Sequence, residues 1–226
     1  MVEIREVKTR KERHQFLDFV LDLYQDNPYF CPAIYSDEMH MFSKKNIYND
    51  QSESIYFLAF KDGKVVGRIQ GILQKASNLK RNEKRIRFTR FDCIDDQDVA
   101  DKLFEAVENW GRSLGMDTIC GPLGYSDLDR EGLLIEGFDH LSTFVEEYNY
   151  DYYQKLIEHR GFEKEVDWLE FKLRPPLEDS DRIMRISTMM LKRLKLHVVI
   201  PSSKKELIDK YADKFFKIID DTYVDL

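Results

Sequence analysis

Two mainly apolar runs, Ile55 to Phe60 and Lys64 to Leu73, are separated by Asp62-Gly63. Asp-Gly is a pair that adopts positive φ at both corners of a two-residue turn, so the runs read as an antiparallel hairpin. Arg85 to Ile94 reads as a third strand after a polar turn at 77–84. The period then changes to helical. Val99, Leu103, Val107, Trp110 and Leu114 form one stripe, closed by Gly115. Asp117 to Cys120 is a further strand, halted by Gly121-Pro122.

Upstream, Val2 to Val7 alternates as a strand, and Thr9 with Glu12 makes a capping box for a helix. That helix carries Phe16, Phe19, Val20, Leu23 and Tyr24 on one face and ends at Asn27-Pro28. Residues 28–54 are irregular and aromatic, either a cover for a site or padding for the core. Residues 123–150 read as a long acidic loop. A short helix near Tyr152 to His159 stops at Gly161, and a last strand from Asp167 to Leu173 ends at Pro175-Pro176. The fold class that follows is α/β, a mixed and mostly antiparallel central sheet with helices on both faces.

Residues 1–175 are expected to form this domain, with 176–195 as a linker helix. In 196–226, Leu196 to Ile200 reads as a strand, and Ser203 caps a helix to about Thr222. That tail repeats the start of the chain: strand, hydroxyl cap, basic pair, Glu, long helix. The repeat is weak and has two readings, coincidence or the opening of an incomplete second domain of the same type. The helix 204–222 bears Leu207, Tyr211, Phe215, Phe216 and Ile219 on a face with no sheet of its own, so self-association through it is an expectation.

The 226 residues are 42% apolar and carry a net charge of −7, which disfavours a phosphate backbone as partner. The basic run Lys80, Arg81, Lys84, Arg85 and Arg87 reads as a solvated hairpin. Cys31, Cys93 and Cys120 are odd in number and lack CxxC spacing, and the five histidines are scattered, so neither a disulfide framework nor a metal site is expected. With no signal region and no run of 18 apolar residues, the expected setting is cytoplasmic, with no membrane partner.

The hairpin from Tyr56 to Arg68, the strand-helix-strand block from Phe88 to Cys120, and Tyr152-Tyr153 to Gly161-Phe162 occur in the order seen in the GNAT (Gcn5-related N-acetyltransferase) superfamily, which residues 1–175 resemble. Asn27-Pro28-Tyr29, Phe91 to Asp96 and Gly121 to Gly124 resemble, more narrowly, the N-terminal half of bacterial proteins with two GNAT-like domains. The resemblance implies transfer of an acetyl group from acetyl-CoA to an amine, either a small molecule or a peptide. It implies cofactor contacts at Phe91 and Cys93 on the strand and at Gln97, Val99 and Ala100 where the helix begins. In that family a Q/R-x-x-G-x-G/A loop offers backbone N–H groups at a helix N-terminus to the pyrophosphate. Aligned on Leu103-Phe104, this chain has Asp95, Asp98 and Ala100 at those places. Asp95, Asp96 and Asp98 there cap the helix themselves and repel phosphate.

The family's acid, a tyrosine four residues before the Gly of the Gly-Phe ending, falls on Ile157. Tyr153 or Tyr152 could protonate a departing thiolate instead, or could pad the core. Asp127, Asp129, Glu131, Glu136 and Asp139 are the base candidates in the acidic loop, with a solvated loop as the plainer account. Two functions stay open: an N-acyltransferase with a degenerate pyrophosphate loop, or a non-catalytic GNAT-like module that packs on or binds a partner.

Overall fold

The computed structural model describes residues 1–126, 128–174 and 180–223. The chain divides into two compact units, Met1–Trp168 and Leu169–Leu226. The first holds a five-stranded sheet in sequential order: β1 (Val2–Glu6), β2 (Ser52–Lys61), β3 (Lys64–Gln74), β4 (Arg85–Cys93) and β5 (Thr118–Cys120). The first four strands are antiparallel and β5 runs parallel to β4. This is the mixed sheet that the resemblance implies. Its hairpin turns at Asp62 (φ 52°) and Gly63 (φ 77°), with Lys61 opposite Lys64.

Helices α1 (Arg10–Leu23) and α2 (Tyr35–His40) cover one face of the sheet, and α4 (Gln97–Ser113) and α5 (Tyr152–His159) cover the other. On the α4 side, Ile69, Phe88, Leu103, Phe104 and Val107 are fully buried. Phe104 sits among Phe88, Phe91 and Phe162 with ring centroids 4.7–5.1 Å apart. Gly67 makes this approach possible. A Cβ there would lie 2.8 Å from Leu103 Cδ1 and 2.9 Å from Cys93 Cβ. On the α1 side, Phe16, Leu17, Tyr56 and Leu58 form a second, smaller core. The Thr9–Glu12 capping box starts α1 as its sequence indicates.

Three local expectations for residues 28–173 differ from the structure. The polar turn at 77–84 is a helix, α3 (Lys75–Arg81), stopped by Asn82 at φ 54°. Residues 28–54 contain α2 and a 3-10 turn at Ile47–Asp50. The strand expected at Asp167–Leu173 is irregular in the described residues, and Leu169, Phe171 and Leu173 are exposed. A strand exists only where another strand accepts its ladder, and no described strand forms a ladder with this segment. Pro175-Pro176 lies outside the described residues.

The second unit has two helices, α6 (Ser180–Arg193) and α7 (Lys204–Thr222). Ser203 caps α7 by accepting from Glu206 N, as its sequence indicates. The expected strand at Leu196–Ile200 is absent, for the same lack of a pairing partner. Phe215 and Phe216 of α7 and Ile183 and Met190 of α6 are exposed.

Candidate functional site

Strict alternation from Phe88 would put Phe88, Arg90 and Asp92 on one face of β4, which would turn two charges into the α4 core. A bulge prevents this. Arg90 takes a left-handed φ of 47°, and the β3–β4 register slips between Arg68 and Gln70. One extra residue resets the pleat. Phe91 and Cys93 therefore face α4, while Arg90 and Asp92 face α1 and α2.

On the α1 side this creates a buried polar network. Arg68 donates to Asp92 at 2.7 Å and to the Phe16 carbonyl at 2.9 Å, with both charged side chains only 4% exposed. Tyr24 Oη donates to Tyr153 Oη at 3.1 Å, and both hydroxyls lie 3.4 Å from Asp92 Oδ1. Burial pushes both phenols well up.

Arg90 grips Glu38 of α2 with two hydrogen bonds, 2.7 and 2.8 Å, and donates to Gln70 Oε1 at 2.9 Å. Burial by itself would raise the Glu38 carboxyl. The charge and hydrogen bonds of Arg90, helped by Arg130, outweigh burial and bring it down to about 2. Arg130 lies 3.5 Å from Glu38 and 3.8 Å from Glu147. Desolvation raises the Glu147 carboxyl against the pull of Arg130. The four side chains of Arg90, Glu38, Arg130 and Glu147 are 12–18% exposed, so the cluster touches solvent. Gln70 continues it, donating to Tyr125 Oη at 2.9 Å, a ring stacked on Tyr48.

The start of α4 is closed. Asp96 is the N-cap. Its Oδ1 accepts from Asp98 N at 3.0 Å and its Oδ2 pairs with Lys61 at 2.7 Å. The Lys61 hydrogen bond holds the Asp96 carboxyl below its ordinary value. Gln97 donates to Asp101 and to the Leu156 carbonyl, while Val99 and Ala100 are fully buried in the α4 core. The end of β4 is also engaged. Cys93 N donates to Tyr153 Oη at 3.1 Å, and Tyr152 Oη donates to the Cys93 carbonyl at 2.7 Å. Phe91 packs on Phe104 and Tyr153.

Of the residues singled out from the sequence, Phe91, Cys93, Gln97, Val99, Tyr152 and Tyr153 meet at the β4–α4 junction, where each packs or bonds to another part of the fold. Tyr153 is 1% exposed. Asp127 lies outside the described residues. Asp129 accepts from Tyr125 N at 2.7 Å, and Glu136 and Asp139 are exposed. Arg68, Arg90, Asp92, Glu38, Arg130 and Glu147 are the residues that sequence reasoning missed. The one available signal was two charges, Arg90 and Asp92, in an otherwise apolar strand.

Tyr153→Phe is expected to cost about 1–3 kcal/mol, because it strands the buried Cys93 N–H without an acceptor. Chemical denaturation measures this, and a change below 0.5 kcal/mol (roughly the scatter of a neutral surface change) would contradict the reading.

No protein-family model matches the chain. It is 27% identical over 197 residues to protein YghO of Escherichia coli (strain K12), covering 87% of this chain and 50% of that protein. It is 26% identical over 223 residues to a bacterial ceramide synthase of Caulobacter vibrioides, covering 97% of this chain and 57% of that protein. The chain thus spans about half the length of the curated relatives it matches. Similar solved structures include a predicted acetyltransferase from Clostridium acetobutylicum with acetyl-CoA, at 12% identity and a TM-score of 0.47, covering 76% and 97% of the two chains. Another is glucosamine-6-phosphate N-acetyltransferase from Arabidopsis thaliana, at 11% identity and a TM-score of 0.47, covering 77% and 99%. A tandem GNAT protein from the clavulanic acid biosynthesis pathway follows at 14% identity and a TM-score of 0.42, covering 53% and 35%. No helix of the described residues is long and apolar enough to cross a membrane.

Proposed function

We propose that this chain is the acceptor-side part of an N-acyltransferase, joining an acyl group to a primary amine at the ionic cluster facing α1 and α2. The observation that carries the reading is the Arg90 bulge. It turns Arg90 onto that face, where Glu38 pairs with it and Arg130 links Glu38 to Glu147 at the edge of solvent. The sequence resemblance supports it. So does the curated relative named a ceramide synthase, since ceramide is itself an amide of a long-chain amino alcohol.

In the transfer the amine nitrogen bonds to the acyl carbon, the thioester C–S bond breaks, and the thiol leaves with the proton the amine loses. This needs a neutral amine and a partner for the charge that develops on the acyl oxygen. Glu147 has a carboxyl raised by desolvation and a single contact at 3.8 Å, which suits it to take the proton of the amine. Arg130 beside it has donors to spare for an oxygen. The β4–α4 junction does not fit an acyl-CoA: Asp96 and Lys61 fill the helix start, and two tyrosines hold the strand end. The same junction favours a second reading, in which this chain is a non-catalytic module that packs on a partner.

The test uses donors with and without a nucleotide. The chain is given a primary amine and an acetyl thioester of either N-acetylcysteamine or CoA, and amide is followed by mass spectrometry. Expected is amide from both donors with no preference for CoA, and a loss of about 10²–10⁴-fold in Glu147→Gln at an unchanged melting temperature. No amide from either donor leaves the module reading. Full activity in Glu147→Gln removes the assigned base.

A further inference from the structure

Arg130 stands between two carboxylates. Its Nη2 lies 3.5 Å from Glu38 Oε1, and its Nε lies 3.8 Å from Glu147 Oε2. Both distances exceed the about 2.7–2.9 Å of a charge-assisted hydrogen bond, so neither carboxylate has closed on the cation. The two acids are held differently. Glu38 belongs to α2 and is tied to β4, because Arg90 donates to both of its oxygens at 2.7 and 2.8 Å. Arg130 and Glu147 both belong to the segment between β5 and α5, which has no helix or strand among its described residues. Glu38 is therefore the anchored member of the three.

Their charge states differ as well. Burial opposes ionisation of Glu38, but Arg90 and Arg130 overcome it and bring the carboxyl down to about 2. Glu38 is thus an anion at any pH where a primary amine reacts. At Glu147, desolvation raises the carboxyl and Arg130 pulls it back. The other charged groups that face Glu147 are Asp92, Arg90 and Arg68. Arg68 is matched by Asp92 and Arg90 by Glu38, each at 2.7 Å. Arg130 is the cation whose pull on Glu147 is set by how firmly another group holds it. When Glu147 takes a proton, Glu38 is the carboxylate left to balance Arg130.

We propose that Glu38 is a positioning residue: it holds Arg130 off Glu147, so that Glu147 can accept the amine proton while the Arg130 donors stay in place for the acyl oxygen. Without the Glu38 charge, the guanidinium closes on Glu147 and quenches it as a base. The inference rests on the N-acyltransferase reading for its meaning. Its test uses neither acyl donor nor amine, so each idea fails separately.

Carbon NMR of the whole chain, labelled at the glutamate side-chain carboxyls, follows Glu147 through a pH titration. Its resonance is assigned by its loss in Glu147→Gln. Glu38→Gln keeps an oxygen for Arg90 and removes the charge. Expected is a Glu147 midpoint lower by about one pH unit, the size of effect an approaching opposite charge has on a carboxylate. Arg130→Gln leaves the Arg90–Glu38 pair intact and is expected to raise the midpoint by about the same amount. The double variant, Glu38→Gln with Arg130→Gln, is expected to titrate at or above the parent, because the cation that closes on Glu147 is gone. A merely structural role for Glu38 would let water reach Glu147 and lower its midpoint in the single and double variants alike. The proposal is overturned by an unchanged or raised midpoint in Glu38→Gln, or by a lowering that persists in the double variant. It is also overturned if Arg130→Gln fails to raise the midpoint, a result that does not depend on Glu38→Gln folding.

Discussion

Asp92→Ala is expected to destabilise the first unit by about 3–5 kcal/mol, because it leaves a buried guanidinium without its counter-charge. Arg68 is 4% exposed and has one other hydrogen-bond partner, the Phe16 carbonyl, with the Phe16 ring 5.0 Å away. At that exposure little water reaches it to compensate. The change also strips the Tyr24–Tyr153 hydroxyl pair of its nearest carboxylate. For a unit of this size, each kcal/mol moves the melting temperature by about 2–4 °C, so calorimetry should show a drop of about 10 °C. The paired change Arg68→Met with Asp92→Leu is expected to recover most of that loss, since apolar groups of similar volume carry no desolvation cost. A single variant as stable as the parent would show that the pair is not desolvated as the geometry indicates.

Gly121→Ala is expected to cost about 2–5 kcal/mol, the sum of backbone strain and overpacking. Gly121 sits at φ 148°, and a Cβ there would run into the Phe88 carbonyl oxygen. That oxygen accepts from Leu123 N at 2.8 Å, the bond that carries the chain past the end of β5. The collision is with backbone, which has nowhere to move inside the α4 core. Gly63→Ala is the control. Gly63 also has a positive φ, 77°, but open space around it, so about 1–2 kcal/mol of strain is all it should lose. Equal losses at the two positions would mean that strain alone, without the collision, accounts for Gly121.

Much of the first unit is legible in the sequence. The Asp62-Gly63 turn, the Thr9–Glu12 box and the Val99–Leu103–Val107 stripe are local signals, each completed within about ten residues of chain. They appear where the sequence puts them. The strands at 167–173 and 196–200 have the right alternation but do not form, because a strand needs a partner that its own residues cannot supply. Helix α3 was missed because Lys75 to Arg81 has no apolar stripe. Asn82 in the left-handed region and the Asn78 bond to the Arg85 carbonyl stop it and tie it to β4.

The candidate site was legible only in part. Asp96 as a helix cap was readable from residue type and position, and the structure adds Lys61 from 35 residues away. The ionic cluster was not. Its members come from α2, β3, β4 and the loop 121–150, and what gathers them is one residue, Arg90, in a conformation that sequence does not advertise.

Sequence by itself determined the elements that hydrogen-bond and cap within themselves, and the acidic character of the α4 start. Tertiary structure decided which face of β4 each side chain meets, which tyrosine hydroxyls hold the Cys93 backbone, and which carboxylates stand beside which arginines. The reason is physical. Helix stripes and turns depend on neighbours a few residues apart, whereas the desolvation and pairing of a charge depend on every element packed around it.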